Sequence, residues 1–197
     1  MSIKKINNVF LSEEIKSLQG SIDKIIFKND HALGRQIGQI EIPYNLQKKL
    51  QNIANYFVFG FSNTFSNPES TILTYSGTVY AEYNNKFGKP NLPPHLDHDT
   101  NDVIINYQLS GNIKWEIGLN KKLYCLEDNS ALIFNGNKEI HWRPHKIFKN
   151  DEFLKMLFFR FGNKNNPSDY SHLDVMLDDE MFKEYNAFRD SLKYNGT

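Results

Sequence analysis

Two short stretches hold the residue types that could act together chemically: Pro93-Pro94-His95-Leu96-Asp97-His98-Asp99 and, further on, Glu139-Ile140-His141-Trp142-Arg143. On a strand, the period of two puts His95 and Asp97 on one face, an imidazole and a carboxylate one pleat apart. A third ligand must come from elsewhere, and His141, beyond the apolar run Ser130-Ala131-Leu132-Ile133-Phe134, is the best placed. Two imidazoles and one carboxylate form a facial triad, which leaves positions open on an Fe(II) ion for a co-substrate and oxygen. His145 competes for the distal place, but Pro144 intervenes and should end the strand, so His141 is preferred. His98 and Asp99 read either as groups that orient the ligands or as solvated loop residues. His31 and His172 lie outside the strand-rich block and carry no claim.

These residues need a scaffold, and the flanking pattern describes one. Ser12 as an N-cap, followed by Glu13 and Glu14, opens a helix in which Ile15, Leu18, Ile22 and Ile25 recur at helical spacing, ending near Phe27. The pair Gly34 and Gly38 breaks that pattern, and Pro43 opens a second helix with Leu46, Leu50, Ile53, Phe57 and Phe61 along one stripe. From Thr71 the character changes to β-branched and aromatic runs punctuated by Gly, Asn and Pro. Strands are expected over Thr71–Tyr83, Asp102–Leu109, Ile113–Leu119, Lys122–Leu126, Ala131–Phe134 and Leu154–Phe161. Between them, Asn84 to Pro94 reads as a polar loop leading into His95. Met181, Tyr185, Phe188 and Leu192 mark a last helix. The chain is thus expected to be one domain over 1–197: a helical N-terminal segment over 1–66, a β core over 71–161 and a C-terminal helix over 178–194. Helices, then antiparallel strands, then a helix imply a mainly β barrel or sandwich with flanking helices.

Composition agrees with a packed domain and narrows the partners. An apolar content of 40% with 14% aromatic residues is too high for a disordered chain of 197 residues. Lys plus Arg balance Asp plus Glu at 23 each, so no bulk field favours nucleic acid or an anionic membrane. The single cysteine, Cys125, allows no internal disulfide. The start Met1-Ser2-Ile3-Lys4-Lys5 carries charge without a following apolar stretch, and no run approaches the ~20 residues of a membrane span. A soluble, cytoplasmic protein is the expectation, with its oligomeric state undetermined.

Within the strand over Asp102–Leu109, Ile104, Asn106 and Gln108 share one face, and Val103, Ile105, Tyr107 and Leu109 the other. Lys114 alternates with Ile113 and Trp115 on the next. Asn106 and Lys114 could face one cavity across an antiparallel pair; a hairpin at Gly111 with Lys114 in water is the other arrangement.

The set His95-x-Asp97 and His141 in a strand-rich chain resembles the Fe(II)- and 2-oxoglutarate-dependent oxygenases. The resemblance implies a double-stranded β-helix (jelly-roll, cupin-like) core. The stretch Ile105-Asn106-Tyr107-Gln108-Leu109-Ser110-Gly111-Asn112-Ile113-Lys114-Trp115 is similar to the Jumonji-type segment in which an Asn and a Lys eight residues later bind 2-oxoglutarate. Ile6-Asn7-Asn8-Val9-Phe10-Leu11-Ser12, and Tyr83 ahead of the Pro-Pro-His-Leu-Asp run, look more like small prolyl-hydroxylase-type members. The likeness implies a dioxygenase using Fe(II), 2-oxoglutarate and O2 to hydroxylate an unactivated C–H. His95, Asp97 and His141 would hold the metal, and Lys114, Arg143, Asn106 and Tyr83 the co-substrate.

Prolyl-hydroxylase-like members carry a Lys or Arg about ten residues past the distal His, where this chain has Asp151. The cation for the far carboxylate is therefore sought among Lys114 and Arg143 first, then Arg160 and Lys155; Arg offers bidentate geometry, Lys a point charge. A phenol hydrogen bond to the co-substrate could come from Tyr83 or Tyr75. Two other readings use the same residues: a metal-binding cupin without oxygenase activity, and a metallo-β-lactamase-like hydrolase. The latter would need a histidine where Pro93 stands and an alternation of helices and strands that the pattern lacks.

Overall fold

The computed structural model describes residues 3–60, 73–97, 101–163 and 177–192. Along the chain run β1 (Lys4–Asn7), α1 (Ser12–Ile22), β2 (Lys28–Asp30), β3 (Arg35–Ile40), α2 (Tyr44–Phe59) and β4 (Leu73–Asn84). A single 3-10 turn, Asn85–Phe87, leads to β5 (Leu92–His95) and β6 (Val103–Gly111). There follow β7 (Ile117–Leu119), β8 (Lys122–Tyr124), β9 (Ser130–Phe134), β10 (His141–Arg143), β11 (Phe153–Asn163) and α3 (Asp179–Ser191).

From β4 onward the chain passes back and forth between two sheets. β4, β6, β9 and β11 belong to a seven-stranded sheet of order β1-β9-β6-β11-β4-β3-β2, and β5, β7, β8 and β10 to a four-stranded sheet of order β5-β10-β7-β8. Every pairing in both is antiparallel. This is the double-stranded β-helix: a mainly β core with helices outside it.

Side-chain alternation decides which layer each face meets. Val103, Ile105, Tyr107 and Leu109 on β6 pack with Leu18 and Ile22 of α1 and Leu46, Leu50 and Ala54 of α2, so the helices cover the outer face of the large sheet. Ile104, with Leu132, Phe134, Leu154 and Met156, instead meets Ile117 and Leu119 of the small sheet. Each such fully buried Leu or Ile contributes about 1.5–3 kcal/mol through removal from water. On the far side of the small sheet, Trp142 meets Phe188 of α3 edge to face, with centroids 5.7 Å apart.

The N-terminal segment is not only helical. β1 adds to one edge of the large sheet beside β9, and the β2–β3 hairpin extends the other edge beyond β4. The Gly34-to-Gly38 stretch reads as a break in the sequence, yet Gly38 lies inside β3. A Cβ there would fall 2.1 Å from Ile25 Cγ2, so the residue is a close approach of strand to loop. Helix α1 ends at Ile22, short of Phe27, and Ser12 is its first helical residue rather than its cap. The cap position is Leu11, whose N–H donates to the Glu14 carboxylate at 2.7 Å. Helix α2 stops at Phe59, with Gly60 at φ 66 closing it; Phe61 lies outside the described residues.

The strand expected over Ile113–Leu119 covers only Ile117–Leu119. Residues ahead of it leave the ladder because Asn112 bonds the start of β11 through Phe153 N–H and Asp151 carbonyl, at 2.9 and 2.8 Å. Trp115 turns inward with its indole N–H on Pro144 carbonyl at 2.7 Å. β6 and β7 are consequently in different sheets, and Asn106 and Lys114 do not face each other across a pair.

Candidate metal centre

β5 ends where β10 begins. His95, the last residue of β5, is the cross-strand partner of His141, the first of β10, and the two rings lie 4.0 Å apart between centroids. Asp97 follows one pleat beyond His95, and its N–H donates to Gly136 carbonyl at 2.9 Å. Gly136 lies between β9 and β10, and it has no side chain to crowd the carboxylate: a Cβ there would be 2.5 Å from Asp97 Oδ2. The strand pairing thus supplies the imidazoles, and the β9–β10 connection fixes the acid between them.

Each imidazole is held by a backbone carbonyl two residues back. His95 Nδ1 lies 2.8 Å from Pro93 O, and His141 Nδ1 lies 3.0 Å from Glu139 O. A carbonyl can only accept, so both rings carry a proton on Nδ1, which turns Nε2 toward the cluster. One ligating atom from each of His95, Asp97 and His141 falls within 4.8 Å of the others, and His141 Nε2 is 3.6 Å from Asp97 Oδ1. Burial pushes the Asp97 carboxyl up, but His141, His95 and Arg160 more than offset it, so the group lies below the ordinary carboxylate range. Two imidazoles and one carboxylate on a common side are a donor set that fits ferrous iron.

The cluster opens on a cavity of about 900 Å³ between the sheets and the β2–β3 hairpin. Strand register gives the order of its wall. In the row nearest the three donors stand Phe134, Ile104, Arg160 and Gly77; in the next, Leu132, Asn106, Phe158, Val79 and Gln39. Asn106 is buried, and its Oδ1 has no hydrogen-bond partner among the described residues. Tyr83 also lines the cavity and accepts from Arg35 Nη1 at 3.2 Å; Asp30 holds Arg35 Nε at 2.8 Å.

The cations named from the sequence divide sharply. Lys114 is exposed on the connection before β7 and does not line the cavity. Lys155 points to the outer face, 3.9 Å from Glu82. Arg160 lines the cavity. Arg143 does not line the cavity but lies 2% exposed inside the barrel: Nη1 donates to Trp115 carbonyl, Nη2 lies 3.8 Å from Met156 Sδ, and the guanidinium stacks 4.9 Å from the Trp115 ring, which in turn meets the cavity-lining Tyr83. Burial pulls its pKa down to about 10, against the opposing influence of Tyr83, Glu116 and Cys125. The described residues give it no carboxylate within ion-pair reach.

The remaining candidates lie elsewhere. Tyr75 bonds Thr78 Oγ1 at 2.6 Å on the helix-covered face, and His145 pairs with Asp190 of α3 at 2.7 Å. His31 is exposed, with Nδ1 2.8 Å from Phe87 O. His98, Asp99 and His172 fall outside the described residues. The sequence reading missed Arg35 and Gly136. The alternation Arg35, Ile37, Gln39 was the available signal for the first, masked by Gly34 and Gly38; nothing in the sequence marks the second.

No protein-family model matches the chain, and no curated protein matches it. Solved structures do. The chain is similar to a Trichoplax adhaerens prolyl hydroxylase in complex with a hypoxia inducible factor oxygen degradation domain peptide fragment, at 15% identity and TM-score 0.53 over 81% of this chain and 83% of that one. It is similar to HygX from Streptomyces hygroscopicus with nickel, 2-oxoglutarate and hygromycin B bound, at 10% identity and TM-score 0.54 over 82% and 83%. A third is the non-heme alpha ketoglutarate dependent epimerase SnoN from nogalamycin biosynthesis, at 8% identity and TM-score 0.58 over 82% and 78%. At these identities the likeness is one of fold, and the fold is that of the 2-oxoglutarate and Fe(II) oxygenases. No helix among the described residues is long and apolar enough to cross a membrane.

Proposed function

We propose that the protein is a non-haem oxygenase that uses Fe(II), 2-oxoglutarate and O2 to hydroxylate an unactivated C–H of an amino acid, a peptidyl residue or another small molecule. The observation that carries this is the meeting of His95, Asp97 and His141 at the head of a large cavity, with both imidazoles oriented by backbone carbonyls. Iron bound there would supply the oxidising power, coupling the decarboxylation of 2-oxoglutarate to attack on the substrate. The chain supplies placement. Pro93 and Glu139 carbonyls hold the two rings, Gly136 holds the Asp97 backbone, and Phe134 and Phe158 keep the wall apolar.

Arg143 is the favoured partner for the far carboxylate of 2-oxoglutarate. A buried guanidinium with no carboxylate in ion-pair reach among the described residues is costly, and the described partner of Nη2 is a thioether. Tyr83, between Trp115 and the cavity, and Asn106, with its unmet Oδ1, are the polar groups along the way. Similar folds bind different molecules, from a peptide fragment to hygromycin B, so the fold does not choose among these. The hydrolase reading has no support in the two-sheet topology, which lacks the helix–strand alternation it needs.

Anaerobic protein given Fe(II) and then 2-oxoglutarate should develop a metal-to-ligand charge-transfer band in the visible. Asp97→Ala should abolish it. A wild type without the band, or a variant that keeps it, overturns the assignment.

A further inference from the structure

Arg160 stands in the row of the large sheet nearest the three donors, between Ile104 on β6 and Gly77 on β4. Gly77, at φ 141, offers no side chain on that flank. Arg160 is partly buried and makes no hydrogen bond or ion pair among the described residues. The acid whose charge it feels is Asp97, whose oxygens belong to the donor cluster. A guanidinium fork with five N–H donors thus lines the cavity without a hydrogen-bond partner among the described residues.

The surroundings share that sign. Lys24, Lys28 and Arg35 also line the cavity, whereas its carboxylates are Asp97 and Glu41. Between Arg160 and these cations Phe158, Val79 and Ile37 form an apolar strip flanked by Asn106 and Gln39, and Ile26, also lining the cavity, is 88% exposed. The contiguous side chains of Phe158, Val79 and Ile37 suit the hydrocarbon part of a ligand.

We infer that the substrate of this site carries a carboxylate, bound by Arg160 beside the donor cluster, with an apolar body lying along Phe158, Val79 and Ile37. The inference rests on the oxygenase reading and deepens it: Arg143 serves the co-substrate in the barrel interior, and Arg160 serves the substrate nearer the opening. A bidentate guanidinium–carboxylate pair in a partly buried cavity discriminates against a neutral isostere.

The probe pair is hexanoate and hexanamide, alike in size and differing in charge, titrated by calorimetry into protein loaded with Zn(II) and saturating 2-oxoglutarate. Hexanoate should bind about tenfold more tightly than hexanamide, as for one charge-assisted hydrogen-bonded pair. Arg160→Gln should erase that preference and leave 2-oxoglutarate affinity within about twofold, while Arg160→Lys, which keeps the charge without the fork, should retain about threefold of it. Equal binding of the two probes, or a preference that survives in Arg160→Gln, overturns the proposal. Weakening of 2-oxoglutarate by about tenfold in Arg160→Gln also overturns it, since the cation then serves the co-substrate. If 2-oxoglutarate fails to bind the wild type, the oxygenase reading fails separately, and the hexanoate preference in metal-free protein still decides the role of Arg160.

Discussion

Replacing Gly136 by alanine should weaken metal binding without unfolding the protein. A Cβ at this position would sit 2.5 Å from Asp97 Oδ2, 2.6 Å from Ile104 Cγ1 and 3.2 Å from Asp97 Cβ. The strand holding Ile104 is in the core and cannot retreat, and the Asp97 N–H is tied to Gly136 carbonyl at 2.9 Å. The carboxylate must therefore rotate or withdraw by roughly 1 Å to reach ordinary contact, a misplacement of the size that costs about 10²-fold in a reacting geometry. Loss of one well-placed ligand or its support typically costs 10–100-fold in metal affinity, about 1.4–2.8 kcal/mol. Overpacking adds about 1–3 kcal/mol of destabilisation of its own. Gly111→Ala separates the two effects. Its Cβ would meet Leu154 Cδ1 at 2.8 Å, a comparable steric insult at the other end of β6 from the donors. Calorimetric titration with Co(II) and urea unfolding should show both variants losing stability and Gly136→Ala alone losing affinity. Metal affinity in Gly136→Ala within twofold of wild type, with the protein folded, would refute the reasoning that Asp97 is a ligand placed by this contact.

Two further changes probe charge. Arg143→Met should raise the dissociation constant of 2-oxoglutarate at least about tenfold yet leave the urea midpoint unchanged or higher, because a buried cation without an acid is replaced by an apolar chain of similar length; Lys114→Ala, on an exposed connection, should change neither, and isothermal titration with urea curves for both variants checks this. Glu14 accepts from Leu11 N–H and pairs with Lys49 at 2.6 Å, and although burial pushes its carboxyl up, these partners bring it below its ordinary value. A depressed folded pKa means the contribution is present above the unfolded value and lost as pH falls through the folded one, so Glu14→Gln should cost about 0.5–1 kcal/mol at pH 7 and progressively less below pH 4. Urea midpoints of both proteins across that range measure the gap, and a constant gap would contradict the assignment.

The strands were legible where alternation and burial agreed. Val103–Gly111 reads from its own side chains, because one face meets the helices and the other the small sheet. β3 was not legible: its period of two carries Gly38 on one face and a half-exposed Arg35 and Ile37 on the other, and only the contact with Ile25 explains the glycine. β5 was hidden by its two prolines, which usually mark loops, although an edge strand tolerates them. The sequence singles out His95, Asp97 and His141, and they lie near one another because β5 pairs with β10 and the Asp97 N–H bonds the Gly136 carbonyl ahead of β10. The co-substrate cations were harder. Whether Lys114 points inward depends on where β7 begins, and that is decided by Asn112 and Trp115 bonding to distant segments rather than by local pattern.

The two prolines of β5 have a consequence for how the protein behaves among copies of itself. β5 is an outer strand of the small sheet, and two of its four residues, Pro93 and Pro94, carry no N–H. An incoming chain seeking to extend the sheet there finds half of the usual donors missing, so the rim beside the donor cluster resists templated stacking. The same Pro93 offers its carbonyl to His95, so a single dipeptide both aims an imidazole and keeps the neighbouring doorway from being walled over by another molecule.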